Sequence, residues 1–392
     1  MPITAPYASQ PAKACYITWI ALSTLVLQPY WMVLHFAGLL PFPRSYTLKE
    51  ALISRTMQRM EYIVVNCGHH IDVMNLAKLD LDSLNKTFKN TRMQWITPPA
   101  NEDKWYKGVA TGCPPAAIPA TQWSKNGKPT ADLVVSPGQV VCLNLHGGGL
   151  AMGNCTENDI TADFSRQLVN ASPKLLYVLT PDYRKVNTGP FPMQLVDTIT
   201  AYAYLVDTLK VSPNNIILSG DSAGGLLALS LIRYLRDELQ ITDLPRALVL
   251  SSPLADVSFW LGPKMQMDPS PNQDIDFLNI KILGPFIANL LLRDNHISLL
   301  DSVWLSPAGP AVPASKELFR DFPPMFVLSG GSEWYVRSVR ELVRRCVISE
   351  VDIEYHEETA APHDYVLCTW FNAEKREKAC SLMALWLEQH LD

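Results

Sequence analysis

From Gln139 onward, short apolar runs alternate with longer stretches of helical period. VVCLNLH (140–146), LLYVLTPDY (175–183), NIILSG (215–220), ALVLSSP (247–253) and MFVLSGG (325–331) are the clearest of these runs. Each is nearly continuous in apolar residues rather than alternating, which predicts strands buried on both faces. The stretches between them, such as 197–209 and 224–239, have the spacing of helices. Strand and helix in alternation predict an α/β fold: a mostly parallel, twisted sheet with helices on both faces. In such sheets chemistry gathers outside the carboxyl ends of the strands.

The first third of the chain has a different rhythm. KEALISRTMQRMEYIV (49–64) places apolar residues at helical spacing, and 80–89 is read as a second amphipathic helix. The Gly- and Pro-rich stretch 97–137 is read as turns with one or two edge strands. Ahead of these lies an apolar, aromatic-rich segment, 16–40, within a stretch free of Asp, Glu, Lys and Arg between Lys13 and Arg44. As a helix it is long enough to cross about 30 Å of hydrocarbon. Pro29 interrupts it, so two shorter pieces, one inserted and one lying at the interface, are also expected. Membrane association through residues 16–40 is the first expectation. A helix packed on the body and a cleaved signal peptide are the rivals, but no small-x-small site follows the apolar run convincingly. Arg44, Lys49, Arg55 and Arg59 follow the segment and one lysine precedes it, which would keep the body in the cytosol. The expected location is therefore a membrane, that of the endoplasmic reticulum, with a cytosolic body; a free cytoplasmic protein is the alternative. The sequons at Asn85, Asn154 and Asn170 are read as unused.

The expected organisation is an apolar segment (1–45), a helical region (46–135) and an α/β domain (136–392). The strand pattern lapses at about 254–306, where FLNIKILGPFIANLLL (277–292) is read as a helix of an inserted cap. With 48% hydrophobic residues in 392, a large core is available. The net charge is −5 and no block of five like charges occurs, which argues against a nucleic-acid partner. Eight cysteines are scattered with no C-x-x-C pair, so free thiols are expected. His69-His70 and Asp294-Asn295-His296 have no second cluster nearby in sequence, and no metal or organic cofactor is implied.

The chemistry-bearing motifs fall at strand ends. Gly220-Asp221-Ser222-Ala223-Gly224 follows one strand and precedes a helix. A turn this tight needs glycine on either side of the serine and lifts the hydroxyl above the sheet. Asp221 is read as tethering a loop. His146-Gly147-Gly148-Gly149 ends another strand. Its glycines let backbone N–H groups face a cavity and hold a developing oxyanion, with Gly148, Gly149 and Ala223 as the expected donors. His146 is expected to hold the loop rather than act as a base.

With these motifs the sequence resembles the hormone-sensitive-lipase-like family of α/β-hydrolases, over roughly residues 139–390. Pro181-Asp182-Tyr183-Arg184, followed by Pro190-Phe191-Pro192, is similar to that family's D-Y-R…F-P segment. The middle departs: DYRKVNTGPFP stands where D-Y-R-L-A-P-E is common. The PYW and YTLKEAL stretches resemble fungal members, some of them encoded in secondary-metabolite pathways. The fold implies the chain order Ser, acid, His. His363, in Ala361-Pro362-His363-Asp364-Tyr365, resembles the family's P-H-x-F segment and is the expected base, ahead of His296, His356 and His390. Glu333, just past a strand, is the expected acid where the family more often has Asp; Asp352 and Glu354 are the rivals. The resemblance implies a serine carboxylester hydrolase acting on a small hydrophobic ester through Ser222, Glu333 and His363. Acyl transfer, cyclisation or elimination on the same triad is the first alternative, and a non-catalytic ligand-binding member of the fold is the second.

Overall fold

The computed structural model describes residues 5–68, 79–109, 112–261, 270, 272–293 and 295–391. His69-His70 and Asp294 lie outside them, as does part of the expected cap. Among the described residues eight strands form one sheet: β1 (Thr91–Ile96), β2 (Ile118–Ser124), β3 (Val140–Leu145), β4 (Leu175–Pro181), β5 (Ile216–Asp221), β6 (Ala247–Ser251), β7 (Met325–Gly330) and β8 (Ile353–Glu358). Their order is β1-β2-β4-β3-β5-β6-β7-β8. β1 and β2 pair antiparallel, as do β2 and β4, and every other pair is parallel.

The five apolar runs are β3 to β7. β3, β5, β6 and β7 are buried along their whole length, as continuous apolar runs require. β8, the edge strand carrying His356, is only half-buried. β1 was not anticipated. Its sequence TRMQWI alternates poorly, and it is fixed by register against β2, from Thr91 opposite Trp123 to Ile96 opposite Ile118.

The helices are α1 (Ala12–Phe36), α2 (Leu48–Cys67), α3 (Leu81–Thr87), α4 (Glu102–Trp105), α5 (Ala162–Ala171), α6 (Met193–Ala203), α7 (Ala223–Arg233), α8 (Ile280–Leu292), α9 (Val336–Ile348) and α10 (Ala373–His390). α6 and α7 each run on through a π-helical turn, Tyr204–Thr208 and Tyr234–Glu238. One core cluster packs α6, α7, α8 and α9 on the sheet, and a second packs α5 and α10 against it. Among the described residues all eight cysteines are free.

α1 is one continuous helix through Pro29, not two pieces. A proline removes a single N–H from the ladder, and the helix continues past it. It ends at Phe36, and Gly38 follows with φ +68°. α1 packs on α2 through Ile20, Ile63 and Cys67, with Arg59 Nε donating to Thr24 Oγ1 at 2.8 Å and Gln28 Nε2 to Thr56 Oγ1 at 3.0 Å. α2 starts at a capping box: Thr47 Oγ1 accepts from the Glu50 N–H, and Glu50 accepts from the Thr47 N–H. α2 and α8 face each other above the carboxyl ends of the strands, joined where Glu61 Oε2 accepts from the Asn279 N–H at 2.8 Å.

Candidate active site

β5 delivers Ser222 to the turn before α7. Its backbone stands at φ +49°, ψ −118°, a strained conformation for a residue with a side chain. The turn is held by the Ser222 N–H on Ser251 O (2.9 Å) and the Leu254 N–H on Ser222 O (2.8 Å). A Cβ at Gly224 would lie 1.8 Å from the carbonyl oxygen of Leu145, and one at Gly220 2.4 Å from the carbonyl carbon of Gly224. The close approach of β5, α7 and β3 therefore demands both glycines.

The loop after β3 runs beside this turn. The Gly147 N–H donates to Asp221 Oδ2 at 2.9 Å, the tether expected of Asp221. Gly148 and Gly149 have φ of +99° and +64° and line the cavity above Ser222. Ala223 opens α7, where first-turn N–H groups have no intrahelical acceptor. His146 is wholly buried. Its Nδ1 pairs with Gly147 O at 2.8 Å and its Nε2 with Lys185 Nζ at 3.0 Å. Burial and the Lys185 ammonium both lower its pKa, so the ring is neutral and braces the loop.

Sequence reasoning missed Lys185. It is almost fully buried and donates to Asp182 Oδ1 (2.9 Å) and Tyr183 O (2.7 Å) as well as meeting His146. Burial resists charge on Asp182, but the Lys185 ammonium holds its carboxyl below the usual range. The signal was present: Lys185 is the first residue at which DYRKVNTGPFP leaves the common family segment.

The loop after β7 carries Glu333, and the loop before α10 carries His363; both are buried. Glu333 Oε2 is 3.5 Å from His363 Nδ1, short of a hydrogen bond. Burial pushes the Glu333 carboxyl up. Two further carboxylates stand near, neither anticipated. Asp364 Oδ2 is 3.1 Å from His363 Nε2. Asp276 accepts the His363 N–H on Oδ1 (3.2 Å) and the Trp334 N–H on Oδ2 (2.7 Å). Burial opposes a charged His363 ring, yet Asp364 and Glu333 outweigh it and raise its pKa well above the ordinary histidine value. The rival acids lie elsewhere: Glu354 pairs with His356 on β8, and Asp352 faces His390. His296 caps a short turn after α8.

Ser222, His363 and Asp364 open onto one cavity of about 370 Å³. Its walls are mainly apolar: Met57, Met60 and Val64 from α2, Leu283 and Ile287 from α8, and Trp260. The cavity thus places the serine, the ring and the glycine loop beneath a roof made by two helices distant in sequence. Among the described residues, no group of three or more His, Cys, Asp or Glu side chains is placed to hold a metal ion.

A family profile described as alpha/beta hydrolase fold matches residues 142–367. A Mycobacterium tuberculosis protein named as an acetyl-hydrolase, LipR, is 24% identical over 245 residues, 62% of this chain and 71% of that protein. Steryl acetyl hydrolase 1 of Saccharomyces cerevisiae is 31% identical over 124 residues, 31% of this chain and 28% of that protein. An acetyl-hydrolase of Streptomyces hygroscopicus is 34% identical over 116 residues, 30% of this chain and 36% of that protein. The chain therefore matches about a third of the length of the latter two. Among solved structures, an esterase from the bacterial hormone-sensitive lipase family aligns with TM-score 0.55 at 21% identity, over 93% of this chain and 98% of that one. The esterase LipW of Mycobacterium marinum aligns with TM-score 0.57 at 15% identity, over 79% and 84%.

Proposed function

The chain belongs to the α/β-hydrolase fold family, and from that premise we propose that it is a serine carboxylester hydrolase using Ser222, His363 and Glu333. The observation that carries the reading is the strained Ser222 at the mouth of an apolar cavity that His363 and the glycine loop also line. In the proposed cycle Nε2 of His363 takes the Ser222 hydroxyl proton as Oγ attacks the ester carbonyl. Glu333 orients the ring from Nδ1 and stabilises the imidazolium. Gly148, Gly149 and Ala223 N–H groups receive the oxyanion. The imidazolium then protonates the leaving alcohol, and a water deprotonated by His363 releases the acid.

The substrate proposed is a small acyl group, such as acetyl, on a bulky hydrophobic alcohol. The largely apolar cavity supports the alcohol. The names of the acetyl-hydrolase relatives support the acyl group. A place in secondary metabolism rests on the N-terminal resemblance alone. We further propose that α1 rests on a membrane with the body in a reducing compartment, which the eight free cysteines support. The test is turnover of p-nitrophenyl acetate, butyrate and decanoate by the wild type and Ser222→Ala in detergent. Expected is turnover that is fastest with acetate and lost in the variant, with fluorophosphonate labelling only of the wild type. Undiminished turnover by Ser222→Ala, or no turnover and no labelling of the wild type, overturns the reading.

A further inference from the structure

The imidazole nitrogen that must accept the Ser222 proton already has a partner. Nε2 of His363 lies 3.1 Å from Asp364 Oδ2, while Nδ1 is 3.5 Å from Glu333 Oε2. The contact is an ion pair, with the carboxylate beside Nε2 but without the alignment of a hydrogen bond. A carboxylate at this distance favours the protonated ring, and a protonated Nε2 cannot take a proton from Ser222.

Asp364 is fixed in this position. It adopts φ +47°, which a side-chain-bearing residue seldom holds without support. Its N–H donates to Ser252 Oγ (3.0 Å), and its Oδ1 accepts from Ser251 Oγ (3.0 Å). Ser251 ends β6 and Ser252 follows it, beside the elbow. The carboxylate also lines the cavity with Ser222.

We propose that Asp364 is a positioning residue that holds Nε2 of His363 in the resting enzyme and must release it before Ser222 can be deprotonated. The proposal rests on the reading of His363 as the base. Exchange needs only a turn of the ring: Nε2 leaves Asp364 for Ser222 Oγ, and Nδ1–H closes on Glu333. The proton at Nε2 leaves to solvent in that step, so the productive form is reached by deprotonation. The groups facing the ring decide its cost. Glu333 stands near Nδ1 from the loop after β7, Asp276 takes the His363 backbone N–H from the segment before α8, and Asp221 at the end of β5 acts on the ring through its charge alone. Tyr335 and Phe277 pack against it with ring centroids 5.5 and 6.3 Å away. Of these carboxyls Asp364 and Glu333 favour the imidazolium, Asp364 the more strongly. The enzyme is thereby restrained in acid and released as pH rises.

The experiment is the pH dependence of kcat/KM for p-nitrophenyl acetate, between about pH 5 and pH 9, for the wild type, Asp364→Asn and His363→Ala. The wild-type acid limb is expected above the ordinary histidine value. Asparagine removes the charge, so the limb should move down by about one pH unit or more, with kcat at about pH 6 rising roughly tenfold and KM little changed. A purely structural role would lower activity at every pH and leave the limb in place. If His363→Ala is inactive and Asp364→Asn is folded with an unmoved limb, the proposal falls while the base assignment stands. If His363→Ala keeps full activity, the assignment of the base falls first and takes the proposal with it. Should Asp364→Asn not fold, the pH dependence of fluorophosphonate labelling of the wild type decides. A limb at or below about 6.5 overturns the proposal, and one clearly above it supports it.

Discussion

Glu333 and Asp276 are both buried carboxyls beside His363, and their contacts separate their roles. Glu333 stands 3.5 Å from Nδ1 of the ring, whereas Asp276 takes two backbone N–H groups, those of His363 and Trp334. Glu333→Gln should therefore lose kcat by roughly 10³–10⁴-fold with KM little changed, because the ring keeps its place but loses the charge that supports the imidazolium. Steady-state kinetics on a soluble ester checks this; a loss below about tenfold would remove Glu333 from the proposed triad. Asp276→Asn should act on stability instead. One of the two N–H donors would face an amide NH₂, at a cost of about 1–3 kcal/mol. The sign of its pH dependence follows from burial, which pushes the Asp276 pKa up from 3.8 to about 7. A raised carboxyl contributes stability that is fully present below the unfolded pKa and is lost as pH rises through about 7. The destabilisation by Asp276→Asn should shrink between about pH 5 and pH 8 in urea melts. Ser222, His363 and Glu333 were available from sequence as candidates because each sits in a local pattern shortly after a strand, and the fold gathers them in one region. Asp276 could not, since its partner lies 87 positions away and only the tertiary fold brings them together. Lys185 was visible as a departure from the family segment, but its meaning depends on His146, 39 positions earlier.

Elements were legible where one physical demand dominated. Strands buried on both faces must be apolar throughout, and β3 to β7 announce themselves for that reason. β1 does not, because an edge strand needs only one buried face and its pairing with β2 decides the rest. α2 is the opposite case, predicted by its period and closed at its start by Thr47 and Glu50. This element links stability to the site, since Met57, Met60 and Val64 form one wall of the cavity. Thr47→Ala removes one half of the capping box and should cost about 1 kcal/mol. Calorimetry should show Tm lower by a few degrees, and the KM of a bulky ester should rise more than that of p-nitrophenyl acetate as the wall loosens. Equal KM changes for both esters would mean that α2 frames the fold without shaping the pocket.

At the scale of the molecule, α1 is the element the enzyme body does not account for. Its inner face is buried on α2, but Val26 is 77% and Phe36 75% exposed, with Trp19, Leu22, Leu25 and Val33 also outward. Length and apolar composition alone would let it span a bilayer. The contacts argue for lying in the interface instead. Arg59 and Gln28 tie α1 to α2, and pulling α1 away would expose Ile63 and Cys67 and leave the Arg59 guanidinium without its hydroxyl partners. An in-plane α1 leaves these bonds intact and sets α2, one wall of the cavity, next to the lipid from which a hydrophobic ester would arrive. Each outward Leu or Val that enters the acyl boundary gains up to about 1.5–3 kcal/mol, so two lysines there should undo most of the binding. Leu25→Lys combined with Val26→Lys is the test, by co-sedimentation with phosphatidylcholine vesicles. The wild type should pellet with the vesicles and the double variant should remain in the supernatant. Tm and p-nitrophenyl acetate turnover should be unchanged, because both side chains are largely exposed. If both proteins pellet equally, or neither does, the outward face of α1 is not a membrane surface. If the variant stays soluble but loses Tm by more than a few degrees, that face packs on protein rather than lipid.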